Sequence, residues 1–467
     1  MKKNIMITIA AVMITVLSMT ACSEIAETSQ QAMQKSATTV SGSADPSAPD
    51  TEVESTAEVT TTTAASTTAA EDESEIKAVS DEKSNAELVS ASYTSYDNGV
   101  LDTTDIFTSR DLVQQADLTA AQTLEAADGK TLTISDEGVY VIKGSAENCT
   151  IRVEADDTAK VQLVLDGVSI TNSDSPAIYI VSADKCFITT AENSKNTLAV
   201  TGSFTADGDT NTDAVIFSKD DIVFGGMGSL EINSAYGNGI SGKDDVKFTG
   251  GTYSVTSALD AIEANDSIRI CGGDFTITGS KDGLHSENDE DNTTGYIYIA
   301  GGNFTIDVSG DGIQATTYVQ IDGGTFDINA SEAIEGTYIQ INDGTINAYG
   351  SDDGINASSK STACDVCIEI NGGEISVEVG PGDTDGIDSN GNIIVNGGTI
   401  SVTSQMSSFD YDGVAQFNGG TIIVNGQQVN EIPQSMMGGG MQGGMRGGMR
   451  GDMGDMGEMP DFGGMRI

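Results

Sequence analysis

The chain has 467 residues, with 55 glycines and no tryptophan, and its 71 acidic against 21 basic side chains give a net charge of −50. This composition favours one long, turn-rich β domain with flanking tails over two or three separate domains. A surface this acidic repels nucleic-acid phosphates and anionic lipid headgroups, so we exclude both as direct partners and expect the chain to attract cations.

A targeting signal opens the sequence. Lys2 and Lys3 precede an apolar run over residues 5–17, and Met-Thr-Ala stands directly before Cys22. This arrangement resembles the cleavage site of bacterial lipoproteins, so residues 1–21 are predicted to be a signal peptide and Cys22 to carry the lipid. We therefore expect an extracellular protein anchored to the cell surface, whose only contact with the membrane is that lipid.

Two low-complexity segments flank the remainder. Residues 22–95 are rich in Thr, Ser, Ala and Glu, and they cannot bury enough apolar surface to offset the entropy of ordering. Residues 433–467 are rich in Met and Gly, and Gly adds backbone entropy without packing area. We predict a disordered linker and a disordered tail; the alternative for the tail is a Cu(I) site, since methionine thioethers are soft ligands.

Residues 96–432 are predicted to form the folded domain, in which residues 97–127 have the pattern of a short helix or cap and short alternating strands begin near Thr131. No amphipathic run of helical period separates them. Residues that end a strand recur every 20 to 29 positions, at Gly226, Gly250, Gly272, Gly301, Gly323, Asp343, Gly372, Gly397 and Gly419. Three strands at about 3.3 Å per residue, separated by tight turns, fit a repeat of that length. The sequence predicts an all-β, right-handed parallel β-helix with one coil per repeat.

Acidic residues recur at one turn of the repeat. Two positions before the aligned apolar residue stand Asn238, Asp260, Asp282, Asp311, Glu332, Asp353, Asp385 and Asp412, and Asp244 and Asp266 follow it by four positions. Adjacent coils lie about 4.8 Å apart, so stacked carboxylates repel unless solvent or a cation compensates them. We predict Ca²⁺ with ligands drawn from Asp244, Asp260, Asp266, Asp282 and Asp311. The alternative is turn chemistry alone, since Asp and Asn favour tight turns.

Tyrosines form another column, at Tyr296, Tyr318 and Tyr338 of consecutive repeats. Sugar rings stack on aromatic faces that also offer a polar tip, so we predict a carbohydrate-binding strip here. The alternative is a packed aromatic stack that closes a turn.

Catalytic motifs are scarce. His285 is the only histidine, and no Ser-His-Asp or Cys-His arrangement accompanies it. A calcium-dependent lyase would need a base, for which the candidates beside the acidic columns are Lys219, Lys243 and Lys281. Neighbouring carboxylates hold a lysine proton more firmly, which disfavours that role. Cys364 and Cys367 have the spacing of a redox or zinc half-site, but no second pair follows, and we predict packed or loop thiols.

The order of these motifs resembles a known family. The motifs are VIFSKDD at 215–221, GISGKDD at 239–245, DAIEAND at 260–266, KDGLHSENDED at 281–291 and GDGIQA at 310–315. Together they resemble the carbohydrate-binding, β-helical lipoproteins of cellulolytic clostridia and their relatives, which have a polysaccharide-lyase-like fold. The resemblance implies bound calcium and affinity for plant cell-wall polysaccharides, including pectin-like acidic sugars, and it implies binding more than cleavage.

The same fold is similar to that of family 9 pectate lyases, in which aspartates hold calcium beside a lysine base. By position, the resemblance carries over the acids Asp244, Asp260, Asp266, Asp282 and Asp311. Where the family often repeats Lys-Asp, this chain has Asn265-Asp266 and Glu287-Asn288. These departures weigh against a lysine-dependent activity.

Three functions follow as hypotheses. The first is a monomeric, non-catalytic, surface-anchored protein that uses calcium to bind acidic or pectic sugars or cellulose. The second is a calcium-dependent polysaccharide lyase of the pectate type. The third is a structural adhesin whose acidic column is only turn chemistry.

Overall fold

The computed structural model describes residues 89–434, apart from residues 280, 289 and 383. The predicted signal peptide, Cys22, the linker up to residue 88 and the tail from residue 435 lie outside these residues. Within the described part of the chain, one 3-10 helix (Leu118–Ala120) accompanies the strands, and no helix is long and apolar enough to cross a membrane.

The strands form three ladders, in which each strand except the last of the chain pairs with the equivalent strand of the next coil. The first ladder comprises β1 (Gln122–Glu125), β3 (Gly138–Glu147), β5 (Lys160–Asn172), β7 (Lys185–Thr190), β10 (Ile222–Gly226), β13 (Asp245–Phe248), β16 (Ser267–Ile270), β19 (Tyr296–Ile299), β22 (Tyr318–Ile321), β25 (Tyr338–Ile341), β28 (Cys367–Ile370), β31 (Asn392–Val395) and β34 (Ala415–Phe417).

The second ladder shares the long strands β3 and β5, which run through both ladders and join them into one sheet. It continues with β8 (Lys195–Val200), β11 (Ser229–Ser234), β14 (Thr252–Ser257), β17 (Asp274–Gly279), β20 (Asn303–Val308), β23 (Thr325–Ala330), β26 (Thr345–Gly350), β29 (Glu374–Val379), β32 (Thr399–Thr403), β35 (Thr421–Val424) and β36 (Gln427–Val429).

The third ladder is a separate 12-stranded sheet. It comprises β2 (Thr131–Ile134), β4 (Thr150–Glu154), β6 (Ile178–Ser182), β9 (Ala214–Ser218), β12 (Asn238–Gly242), β15 (Ile262–Ala264), β18 (Leu284–Ser286), β21 (Ile313–Ala315), β24 (Ile334–Gly336), β27 (Ile355–Ala357), β30 (Asp385–Ser389) and β33 (Ser407–Tyr411).

The register of the ladders confirms the predicted repeat. The aligned apolar residues pair directly from coil to coil in the third ladder: Ile240 pairs with Ile262, Ile262 with Leu284, and Leu284 with Ile313. Among the strands of the described residues, the pairings are parallel except that of β35 with β36. The prediction of an all-β solenoid built from parallel strands is therefore confirmed, and its right-handed sense stays a prediction.

The core fills the inside of the coil. In strands such as β17, β20 and β23 alternate side chains point inward, so Phe275, Phe304 and Phe326 stack on consecutive rungs with ring centroids 4.8 and 4.7 Å apart. The second glycine of the preceding pair turns the chain between the first and second ladders; Gly302, for example, has φ of 123°. A side chain there is strained, which explains the repeated glycine pairs.

Residues 89–116 form a strap across the outer surface of the first ladder. Its two ends pair with each other, since Gln114 donates its backbone N–H to the carbonyl oxygen of Val89 at 2.7 Å. Along its length, backbone N–H groups of Tyr96 and Val100 bond to the side chains of Asp322 and Gln340, at 2.8 and 3.0 Å. Composition assigned residues 89–95 to the linker, whereas in the structure they belong to the strap.

An apolar cluster holds the middle of the strap to the coils. The Phe107 ring packs edge-on against Tyr93, with centroids 5.0 Å apart, and lies 6.4 Å from the ring of Tyr298. Ile106 and Cys271 complete the buried part of this cluster. The strap thereby covers part of the surface that the first ladder would otherwise present to solvent.

Candidate functional site

Polar columns run along the outer surface of the third ladder. One is the predicted turn column, which includes Asp260, Asp282, Asp311 and Glu332. A second column lies three residues later in each coil, on the strands themselves, and comprises Ser241, Glu263, His285, Gln314, Glu335, Asn356 and Asp388. The two columns lie side by side, so the third ladder presents one acidic surface, which we call the acidic face.

The turn column has a structural role of its own. One carboxylate oxygen of each aspartate accepts the backbone N–H of the equivalent residue in the next coil: Asp260 from Asp282 at 3.2 Å, and Asp282 from Asp311 at 2.8 Å. Asp311 accepts in the same way from Glu332 at 3.3 Å. Turn chemistry therefore accounts for one oxygen of each carboxylate, and the other oxygen points outward.

The outward oxygens of Asp260 and Asp282 meet a lysine and the only histidine. Lys281 Nζ lies 2.7 Å from Asp260 Oδ2 and 3.8 Å from Asp282 Oδ2, and His285 Nδ1 lies 3.4 and 3.6 Å from the same two oxygens. Burial raises the pKa of Asp260, but His285 and Lys281 outweigh it and hold that pKa at about 2. We call these side chains the histidine cluster.

A second group, which we call the carboxylate cluster, consists of Asp311, Glu332 and Glu335, with carboxylate oxygens within 4.8 Å of one another. The Gln314 amide donates to Asp311 at 2.7 Å and to Glu335 at 2.6 Å. Lys360 Nζ lies 2.7 Å from Glu335 Oε2. Burial and the neighbouring carboxylates raise the pKa of Asp311 to about 7 and that of Glu332 to about 8. Negative charge is therefore under-compensated here.

The remaining predicted acids lie in a polar groove of about 750 Å³ at the far edge of the acidic face. Asp244 and Asp266 both line it, and Asp266 Oδ1 accepts from the Asn288 amide at 2.8 Å. Burial and Asp266 raise the pKa of Asp244 to about 6. The predicted calcium ligands are thus brought to one face, but they divide among this groove, the histidine cluster and the carboxylate cluster.

The acidic face continues toward the C-terminus at Asp388. Burial, followed by Asp353 and Asp385, raises the pKa of Asp388 to about 7. Because the folded-state value lies above the ordinary one, the protonated carboxyl favours the fold below about pH 4, and this contribution is lost as the pH rises through 7.

We therefore expect Asp388→Asn to stabilise the protein at pH 8 by about 1–2 kcal/mol, a figure reduced for partial exposure, and to have little effect at pH 4. Urea unfolding followed by circular dichroism in the presence of a chelator measures both values. Asp327→Asn on the exposed side of the second ladder is the matched control. Equal stabilisation at both pH values would contradict the assignment.

The tyrosine column lies away from the acidic face, on the first ladder. Tyr318 and Tyr338 have ring centroids 6.1 Å apart and line a shallow groove of about 380 Å³ together with Val100 of the strap. The Tyr338 hydroxyl donates to Glu369 at 2.9 Å. Tyr296 instead packs beneath the guanidinium of Arg269, 5.4 Å from its ring centroid. Two of the predicted tyrosines thus share one groove, and the third does not.

The candidate bases are dispersed. Lys281 belongs to the histidine cluster, where burial lowers its pKa but Asp260 outweighs this and raises it. Lys243 Nζ lies 3.9 Å from Glu263 in the polar groove, and Lys219 is bonded through its backbone N–H to Ile180. A lysine whose pKa is raised stays protonated at neutral pH, so the contact of Lys281 with Asp260 does not favour a role as the base that abstracts a proton.

Comparison with known proteins gives the family. A family model described as "Carbohydrate-binding domain-containing protein" matches residues 128–384 and 331–430, which together span more than half of the chain. The chain belongs to this carbohydrate-binding domain family. The resemblance inferred from the motifs is thereby confirmed.

One relative in the family is a "Carbohydrate-binding domain-containing protein" of Acetivibrio thermocellus, 38% identical over 128 residues. The match covers 27% of this chain and 45% of that relative, so the chain spans less than half of the relative's length. A solved structure described as a polysaccharide lyase-like protein from C. thermocellum, a gadolinium derivative, is 31% identical, covers 44% of this chain and 90% of its own, and has a TM-score of 0.43.

The predicted ligand set contains only part of each cluster: Asp260 and Asp282 of the histidine cluster, and Asp311 of the carboxylate cluster. It selected aspartates of the turn column but not Glu335, and it gave His285 no ligand role. The signal was present as an i, i+3 spacing: Asp282 with His285, Glu332 with Glu335 and Asp385 with Asp388. The aligned apolar residue at i+2 points inward, so its strand neighbour at i+3 points outward, whereas position i lies in the turn at the start of the strand and can also face outward.

Proposed function

We propose that this chain is a non-catalytic, calcium-assisted binding protein for plant cell-wall polysaccharides, acidic or pectic sugars and cellulose among them. The observation that carries the proposal is the carboxylate cluster, in which three acids within 4.8 Å of one another face one ammonium group. Membership of the carbohydrate-binding domain family supports a polysaccharide as the partner. Calcium would be held by Asp311, Glu332 and Glu335.

The donor chemistry of the cluster fits calcium. Ca²⁺ takes about six to eight oxygen ligands at about 2.3–2.6 Å and tolerates irregular cages of carboxylates, amide oxygens and water. The three carboxylates and Lys360 leave an excess of about two negative charges when all are ionised, which one Ca²⁺ would neutralise. Coordination positions not taken by protein would be open to sugar carboxylates or hydroxyls.

A calcium ion between the protein and an acidic sugar would also reduce their electrostatic repulsion. A chain of net charge −50 repels a polyuronate, so the two polymers need a cation between them. Tyr318 and Tyr338 offer aromatic faces on the first ladder, where a second segment of the polysaccharide could stack.

We also propose that the protein is held at the cell surface by a lipid on Cys22. Loss of the protein from the membrane fraction after Cys22→Ser replacement checks that location.

The test is a pull-down on polygalacturonate and on cellulose with calcium or with a chelator. We expect the parent protein to lose at least tenfold in affinity for polygalacturonate on chelation, and Glu332→Gln to bind weakly in both conditions. Glu374→Gln is the matched control, because it removes the same charge from the exposed side of the second ladder, away from the cluster. Binding that survives chelation, or that Glu332→Gln leaves intact, would overturn the calcium bridge.

A structural role is the second candidate, because the turn column accepts backbone N–H groups from coil to coil. Asp311→Asn separates the structural role from calcium binding, since the asparagine oxygen can still accept the Glu332 N–H while one negative charge is removed. If the column is structural only, calcium changes the melting temperature of neither protein. If the cluster binds calcium, the ion raises the melting temperature of the parent more than that of Asp311→Asn.

A further inference from the structure

We infer that Asp260, Asp282 and His285 form a site for a transition-metal ion of the Zn²⁺ class, separate from the proposed calcium site. One ligand atom from each residue, Asp260 Oδ2, Asp282 Oδ2 and His285 Nδ1, lies within 4.8 Å of the other two. All three residues are buried, with 3%, 5% and 6% of their surface exposed. Three convergent protein ligands are the number that an open zinc site uses.

The environment of His285 supports a metal site independently of the distances between the three ligand atoms. Its Nδ1 is buried and has no hydrogen-bond partner, although two carboxylate oxygens lie 3.4 and 3.6 Å away. A buried polar atom without a partner is unfavourable, and here it points at the space between two carboxylates. A metal ion at that point would bond to the imidazole nitrogen and to both oxygens.

The surroundings prepare these atoms as ligands. Glu287 Oε2 lies 3.5 Å from His285 Nε2, so a carboxylate faces the far nitrogen of the ring. Such a partner holds the proton on the far nitrogen and leaves the near one free to coordinate. The backbone N–H groups of Asp282 and Asp311 fix the other oxygens of Asp260 and Asp282, which orients the outward ones.

Lys281 shows where a cation is favourable. Its ammonium group lies 2.7 Å from Asp260 Oδ2, while its side chain remains 46% exposed. The long, exposed side chain can move to solvent when a metal ion takes over its charge. A donor set of one imidazole nitrogen and two carboxylates suits zinc-like ions, whereas the all-oxygen carboxylate cluster suits calcium. The two sites therefore differ in the metal that they select.

The single histidine makes a direct experiment possible. Full-length protein prepared without a histidine tag and labelled with ¹⁵N-histidine gives the resonances of one imidazole, His285. Zn²⁺ is added to this protein in a Cys364→Ser/Cys367→Ser background, so that thiols do not capture the ion. We expect the imidazole resonances to shift to a new position by one equivalent of Zn²⁺, and Ca²⁺ in the same amount to leave them in place.

Variants separate this site from the calcium proposal. We expect Asp260→Asn, which keeps an oxygen for the Asp282 N–H, and His285→Gln to weaken Zn²⁺ binding by at least tenfold in competition with a chromophoric chelator. Glu332→Gln should leave zinc affinity unchanged while it weakens calcium-dependent binding of polygalacturonate. Imidazole resonances that Zn²⁺ does not move, or zinc affinity that His285→Gln retains, would overturn the inference and leave His285 as a charged partner of the two carboxylates. The NMR result on the parent protein stands even if a variant fails to fold.

Discussion

Replacement of Phe304 by alanine is expected to lower the free energy of unfolding by about 3–5 kcal/mol. The Phe304 ring is 3% exposed and lies between the rings of Phe275 and Phe326, nearly parallel to both, with interplanar angles of 4° and 3°. Its removal leaves a cavity inside the coil, because the neighbouring rungs are tied by backbone ladders and cannot close over the gap.

Because the chain has no tryptophan, urea unfolding followed by far-ultraviolet circular dichroism is the suitable measurement. Thr305→Ala is the control, since Thr305 is the next residue of the same strand and its side chain is exposed. We expect the control to change stability by less than about 0.5 kcal/mol. A Phe304→Ala protein as stable as the control would show that the aromatic stack contributes little.

The second large effect concerns the strap. Phe107 is 5% exposed and contacts both Tyr93 of the strap and Tyr298 of the first ladder. Phe107→Ala should lower the free energy of detaching the strap by about 3 kcal/mol. Detachment then becomes about 100-fold more frequent while the coils remain folded. Trypsin cleavage after the neighbouring Arg110 should accelerate by about the same factor.

The rate of that cleavage is measured on native protein by electrophoresis and mass spectrometry. Leu118→Ala is the control, because Leu118 lies next to the strap but is 53% exposed. Equal cleavage rates in the two variants would mean that Phe107 does not hold the strap in place. A loss of circular dichroism in Phe107→Ala would mean instead that the strap and the coils unfold together.

The coil was predictable because its residues repeat. An inward-pointing aliphatic residue recurs at successive rungs of the third ladder, and a glycine ends most strands of the first, so Ile240, Ile262 and Ile313 mark the register in the sequence itself. The strap has no such repeat. Tyr96 bonds to Asp322 and Val100 to Gln340, contacts between residues more than 200 positions apart that no local pattern encodes.

The candidate site was predictable only in part, for a different reason. Stacking on adjacent coils places Asp282 beside Asp260 and Asp311, and the repeat makes that visible. Outward-facing positions carry no packing constraint, and acids stand at many of them. The choice among them depends on side-chain direction, on amides such as Gln314 and on the few ammonium groups, so Glu335 and His285 emerged only in three dimensions.

The strap has a consequence for how the solenoid melts. In a stack where each coil touches only its neighbours, stability is a sum of nearest-neighbour terms and terminal coils can fray one at a time. The strap adds bonds that skip neighbours, from Lys185 in β7 to Gln340 in β25. Those coils should open as one cooperative unit, whereas the coils from β31 onward, for which no bond to the strap is seen among the described residues, should fray singly from the C-terminal end.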